Sequence, residues 1–309
     1  KDVLLRVNLS SPSSGNWADY PGACIVKSIK IQSGSQNLYE SDYVMNQEFL
    51  LQRLTEEQQT EYLLAAGGAA NSGAVEAMSL IVTPWSNKTW NSAPLFLGRS
   101  REPLEIRLTL RSGAEITASG GTAGTLTSLH LDLLTIESDS DAERRFMDGD
   151  LSYSGYEIQT PVINADVGTS ASSHSARGFT GNVSAMLIKS QLASDYDTAH
   201  DYFNKNELVS YKMTLDHQTY YEQSSTNQAV AKAFAENYKN HSGTLGGRLS
   251  VVSFNGGNNN HYQHGSFTSV GLPVSSYNSI DFEQVVASAD SSYLSILGIV
   301  PVEYFLSGG

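Results

Sequence analysis

Few residues of this 309-residue chain stand at spacings that could do chemistry. His261 and His264 are three apart, as in a metal-binding pair, but they sit in a run rich in Asn and Gly that reads as a loop. Asp139, Asp141 and Glu143 are spaced like the first ligands of a calcium loop. Where such a loop needs a turn-forming Gly the chain has Arg144, whose cation opposes a bound ion, so solvation of a linker is the expected role. Cys24 is the single cysteine and lies beside Ile25 and Val26, the setting of a buried structural thiol rather than a nucleophile. Glu56 and Glu57 fall on a helical pattern and read as a solvated face. Trp17, Trp85 and Trp90 could stack on sugars, yet scattered aromatics in a β-protein more often anchor cores or interfaces. Gly-x-Ser-x-Gly, phosphate-loop and His-Glu-x-x-His patterns are absent. No catalytic residue, cofactor-binding residue, metal ligand or cofactor is therefore assigned, and a non-enzyme is expected.

Composition narrows the class. Hydrophobic residues make up 40% of the chain and charged residues only 17%. The remainder is rich in Ser, Thr, Asn, Gln and Gly, a mix suited to strands joined by turns. A formal charge of −13 repels phosphate backbones, and Lys1 and Arg6 are the only cations of the first stretch. Direct sequence-specific nucleic-acid binding is not expected. One cysteine excludes an intrachain disulfide and fits folding in a reducing cytoplasm. No apolar run reaches the ~20 residues of a membrane-spanning helix, and no signal-like start is read.

The elements that must carry any function are mostly strands. Alternation or short β-branched runs predict them at 3–9, 24–31, 79–83, 104–110, 126–136, 156–163, 183–191, 207–215, 249–254, 279–286 and 293–305. Turn-forming clusters separate them. Helical periodicity appears twice: at about 45–66, where Phe49, Leu50, Arg53, Leu54, Tyr62 and Leu63 recur, and at about 225–240, where Val230, Phe234 and Tyr238 recur every four residues.

An internal duplication organises this list. A shift of 182 residues lays 26–40 on 208–222 without a gap, and Ser28, Lys30, Gln36, Tyr39 and Glu40 meet Ser210, Lys212, Gln218, Tyr221 and Glu222. Each copy is a strand ending in a tight turn, followed by one helical segment, a β-branched strand and two further strands. The period is that of whole domains, not of a solenoid. The reading is two tandem barrels, 1–140 and 141–309, of about eight strands each, with sheets paired to hide their edges. The join is placed at 138–150, the densest charge cluster, and 165–181 is read as an exposed loop.

This order of motifs resembles the double-jelly-roll major capsid proteins of tailless icosahedral DNA viruses, the lineage of adenovirus-like, tectivirus-like and large nucleocytoplasmic viruses. The resemblance covers nearly the whole chain. Strand and turn 27–40 lead into the helical excursion, and Ile81-Val82-Thr83-Pro84-Trp85 and Ala93-Pro94-Leu95-Phe96 stand for the family's Pro-Leu-Pro strand end and Leu-Pro strand. At the join, 131–136 is followed by Asp141, Glu143, Arg144, Arg145 and Phe146, then Tyr156-Glu157-Ile158-Gln159; Gly265-Ser266-Phe267 marks a later loop-to-strand signature. A tighter Glu-Arg spacing, a reduced Asn-Phe-Ser and an incomplete Pro-Leu-Pro mark a distant member. The resemblance implies an all-β double jelly roll, with Phe146 as a plug and the arginines holding linker carboxylates. It further implies a homotrimer tiling a virion shell as a pseudo-hexagonal unit. Its partners would be neighbouring capsomers, vertex (penton) proteins and membrane-linking minor proteins that act as adaptors to an internal membrane, since an acidic base suits anionic lipid poorly. Two other readings stay open: a jelly-roll carbohydrate- or receptor-binding module, and a polysaccharide-active enzyme.

Overall fold

The computed structural model describes residues 3–52, 54, 56–83, 103–133, 151–159, 172–175, 178–203, 208–224, 250–253, 272–286 and 290–306. Among the described residues up to 133 there are six strands: β1 (Val3–Leu9), β2 (Val26–Ser33), β3 (Gln36–Asp42), β4 (Val75–Ile81), β5 (Leu104–Leu110) and β6 (Leu126–Leu133). They form two three-stranded antiparallel sheets, ordered β4-β1-β6 and β3-β2-β5. From Leu151 onward come β7 (Leu151–Gln159), β8 (Ser172–Ser175), β9 (Asn182–Val183), β10 (Ala185–Leu192), β11 (Leu208–Leu215), β12 (Gln218–Ser224), β13 (Ser250–Ser253), β14 (Leu272–Pro273), β15 (Ile280–Val286) and β16 (Ser292–Leu306). Two four-stranded sheets result, β13-β10-β16-β7 and β12-β11-β15-β8, with β9 and β14 paired beside them.

Alternation decides which face of each sheet is inward. In β1 the side chains of Val3, Leu5, Val7 and Leu9 are buried and Arg6 is exposed, the period-2 signature of a half-buried strand. They meet Ile29 and Ile31 of β2 in the first core. In the second core Met186 and Ile188 of β10 and Leu294 and Ile296 of β16 meet Met213 of β11 and Phe282 of β15. Each half is thus a sandwich of two sheets.

The duplication is visible residue by residue. β2 and β3 form a two-residue hairpin, as do β11 and β12, and the bounds of the second pair are those of the first moved by 182. Lys30 stands opposite Glu40, and Lys212 opposite Glu222. The register slips between Ile31 and Gln32 in one copy and between Met213 and Thr214 in the other, which are equivalent positions. The turns use different residues. Gly34 takes a φ of 56° in the first, whereas Asp216 and His217 take 48° and 67° in the second. The Asp216 carboxylate holds that strained turn by accepting from the backbone N–H groups of Asn278 and Ser279.

Several sequence expectations change. The returning arms β3 and β12 are strands in their own right. The helix foreseen at 45–66 is two helices, α2 (Tyr43–Gln52) and α3 (Glu56–Ala65). A short helix α1 (Pro21–Cys24) replaces the start of the strand expected from Cys24, because Pro21 presets the first helical φ. Four residues of the loop read at 165–181 form β8. The join at 138–150 and the second helical pattern at 225–240 lie outside the described residues.

Cys24 is buried at the end of α1, and burial pushes its thiol up to about 12, with Arg111 acting in the opposite sense. We expect a disulfide reagent at pH 8 to modify native Cys24 at least ~100-fold more slowly than the denatured chain. Equal rates in absorbance-followed labelling would contradict that burial.

Candidate assembly interface

The helix α2 explains how the two halves are held. Its residues from Tyr43 to Leu51 are all buried, so it is enclosed on every side rather than laid on a surface. Three consecutive polar side chains, Asn46, Gln47 and Glu48, lie within it and each needs a partner. Asn46 donates to the Val82 carbonyl at 2.8 Å and to the Tyr39 hydroxyl at 2.8 Å, and accepts from the Val82 N–H at 3.1 Å. Gln47 donates to the Leu80 carbonyl at 2.8 Å and accepts from the Tyr62 hydroxyl. These bonds fix α2 against β4. At its start the Asp42 carboxylate accepts from the Met45 N–H at 3.0 Å as an N-cap.

Glu48 alone reaches across to the second half. Its carboxylate lies 3.0 Å from Lys189 Nζ on β10, with side-chain exposures of 1% and 3%. Its Oε2 has no hydrogen-bond donor among the described residues. Lys189 also donates to the Tyr202 carbonyl at 2.5 Å and lies 5.8 Å from the Phe203 ring centre.

The segment after β10 carries a second set of contacts. A wide helical turn at Asp195–Ala199 ends in His200, whose φ of 56° reverses the chain. His200 Nδ1 then meets the Thr117 carbonyl at 2.8 Å, and the Tyr202 hydroxyl donates to the Glu115 carbonyl at 2.6 Å. The guanidinium of Arg111 lies 4.2 Å from the Tyr202 ring centre, a cation–π contact. Phe203 stands edge-on to Tyr20 at 5.7 Å. Beneath them Ala185, Leu297, Ile299 and Ile158 join the first half's core rather than their own. The sheet β13-β10-β16-β7 is therefore covered on both faces, one by its sandwich partner and the other by the first half.

The sequence matches no family model and no curated protein. The fold does have solved counterparts. PBCV-1 VP54, fitted into a cryo-EM reconstruction of the virophage Sputnik, superposes with a TM-score of 0.74 at 12% identity over 100% of this chain and 88% of that one. A quasi-atomic model of the PBCV-1 virus capsid gives 0.75 at 11% identity with the same coverage. The faustovirus major capsid protein gives 0.67 at 9% identity over 99% and 85%.

The chain is a double jelly roll of the viral capsid-protein fold.

Among the described residues of this double jelly roll, those singled out for chemistry do not converge. Trp17 is buried and its indole N–H donates to the Ser10 carbonyl at 3.1 Å, so it is a core anchor and cannot stack on a sugar. Glu57 is exposed on α3, as a solvated face requires. Among the described residues no three His, Cys, Asp or Glu side chains group as metal ligands. Asp139, Asp141, Glu143, Arg144, Arg145, Phe146, Trp85, Trp90, His261, His264 and the Gly265-Ser266-Phe267 signature lie outside the described residues. Glu48, Lys189, Arg111 and Tyr202 were not singled out from the sequence. The available signal was a lone charge inside an apolar run, Glu48 before Phe49-Leu50-Leu51 and Lys189 after Ala185-Met186-Leu187-Ile188.

Breaking a buried ion pair from one side costs far more than replacing both partners, because it strands a charge. We expect Lys189→Met alone to destabilise the protein by about 3–5 kcal/mol, and Glu48→Leu with Lys189→Met to recover most of that loss. Calorimetric melting of the three proteins checks this; a single variant as stable as wild type would contradict the role given to the pair.

Proposed function

We propose that this chain is the major building block of an icosahedral virus shell, acting in the virion as a homotrimer whose six barrels form one pseudo-hexagonal tile. The supporting observation is how the halves meet. The outer face of the second barrel's β13-β10-β16-β7 sheet packs on the helices of the first, a head-to-tail contact between two similar units. Such a contact, repeated, makes a closed ring or an open filament. A closed ring of six barrels uses three chains. In the first barrel the equivalent outer face, on β4-β1-β6, is half-exposed among the described residues. It carries Leu4 and Leu80 opposite one another and Met78 opposite Arg6, with Met78 38% exposed. Arg6 is held in that face by Asp132 at 2.6 Å. An apolar centre with a charged rim is the composition of an assembly surface.

The solved counterparts include capsid structures, among them a virus capsid and a virophage particle. Shell proteins need contact surfaces rather than a reacting centre, which agrees with the scattered placement of the titratable residues. The charge of −13 favours neighbouring capsomers, vertex proteins and membrane-linking adaptors over nucleic acid as partners.

Size-exclusion chromatography with light scattering tests this directly. Wild type is expected at three times the chain mass, and Met78→Asp at one chain mass with a melting temperature within a few degrees of wild type, since the site is a solvent-facing strand position. A wild-type monomer at tens of micromolar, or a Met78→Asp protein that still trimerises, would sink the proposal.

A further inference from the structure

The duplication carries a charge reversal at one register position. On β3-β2-β5 the side chains of Ile29 and Ile31 face the core, so Lys30 points outward, opposite Glu40 on one side and Arg107 on the other. On β12-β11-β15-β8 Met213 and Phe282 face the core, so Lys212 and Glu283 point outward and stand opposite one another. Lys30 and Lys212 are counterparts under the shift of 182. Arg107 in one barrel therefore holds the place of Glu283 in the other. The next outward place keeps its sign, with Glu105 opposite Gln32 and Asp281 opposite Thr214.

These outer faces are open to solvent and differ in charge. Lys27, Glu40, Glu105 and Arg107 are exposed and Lys30 is half-buried; on the second barrel Glu283 is exposed, and Asp281 and Lys212 are half-buried. Among the described residues Lys27, Lys30 and Arg107 outweigh Glu40 and Glu105 on the first face, whereas Asp281 and Glu283 outweigh Lys212 on the second. Two ion pairs lie on the first face, Lys30 with Glu40 at 3.5 Å and Arg107 with Glu105 at 2.8 Å. Exposed pairs of this kind contribute little in water, so their members can turn to a partner at small cost.

In the six-barrel ring proposed above, each barrel turns the outer face of one sheet to the barrel before it and meets the barrel after it through the helices at its edge. The opposite sheet of the sandwich, β3-β2-β5 or β12-β11-β15-β8, is left looking out of the ring. Going round, these outward faces turn by about 60° at each step and alternate between first and second barrels. Faces that look in opposite directions are half a turn apart, and half a turn exchanges one barrel for the other. Tiles set side by side in the same orientation thus meet first barrel to second. We infer that the outer face of β3-β2-β5 docks on the β12-β11-β15-β8 face of a second copy of this chain in the adjoining tile, with Arg107 set against Glu283, a contact that rests on the ring reading. A neighbour turned by about 60° would set Arg107 on Arg107 and Glu283 on Glu283, so the reversal selects tile orientation by repulsion as well as by attraction.

A charge swap tests this, with light scattering following the association of purified trimers as their concentration rises at low salt. Arg107→Glu should leave the trimer intact and raise the concentration needed for association at least about ten-fold. Adding Glu283→Arg to that variant should restore association to near the wild-type concentration, and salt at about 0.5 M should weaken wild type and double variant alike. Arg107→Glu trimers that associate as wild type does, a double variant as defective as the single one, or wild-type trimers that stay separate at every concentration would overturn the docking while leaving the ring intact. A wild-type chain that forms no trimer would remove the ring and the docking together.

Discussion

A helix enclosed by two barrels must find partners for the polar groups it carries, and α2 draws them from both sides. Asn46 and Gln47 bond to the end of β4, which sets the helix in the first barrel. Glu48 has Lys189 of β10, so its charge is compensated only when the second barrel is seated. Each charge would be costly to bury alone, and desolvation offsets much of their attraction. The pair therefore contributes little net stability but penalises any misplacement of one barrel on the other. The apolar contacts of Leu297, Ile299 and Ile158 supply the adhesion, and the ion pair supplies the register.

The same logic explains why two copies of one sandwich have diverged. Their hairpins keep the same length, the same facing Lys and Glu, and the same slip in register. These features belong to the interior of a sheet and do not depend on what lies outside. The outer faces differ because their surroundings differ. β10 and β16 read Ala-Met-Leu-Ile and Leu-Ser-Ile-Leu-Gly-Ile-Val, apolar on both sides because both sides are covered. β1 alternates, with Arg6 and Asn8 between buried residues, because among the described residues only its inward side is packed in a core.

Much of this was legible in the letters. The strands at 3–9 and 104–110 have the limits their alternation indicates, and the shift of 182 identified residues that share register positions in the two barrels. The turn between α2 and α3 was not legible, since Phe49, Leu50, Leu54 and Leu63 continue one helical period across it and all four are buried. The interface was hidden for a different reason. Glu48 and Lys189 are 141 positions apart, and periodicity reports which face a residue shares, not which distant charge it will meet. Tyr202 and Phe203 follow a polar stretch with no strand pattern, so their docking on Arg111 and Tyr20 depends on the reversal at His200. Trp17 was read as an anchor because scattered aromatics in a β-protein more often pack in cores or interfaces, and it is buried.

At the centre stands one contact, barrel face on barrel helices, made within the chain and proposed to recur between chains. A cryo-EM reconstruction of the assembled oligomer measures it most directly. Six barrels in a ring are expected, related by successive rotations of about 60°, as closure of a ring of like units requires, with the β4-β1-β6 face of each chain seated on its neighbour's second barrel. A ring in which that face points to solvent, or an oligomer joined through other surfaces, would contradict it.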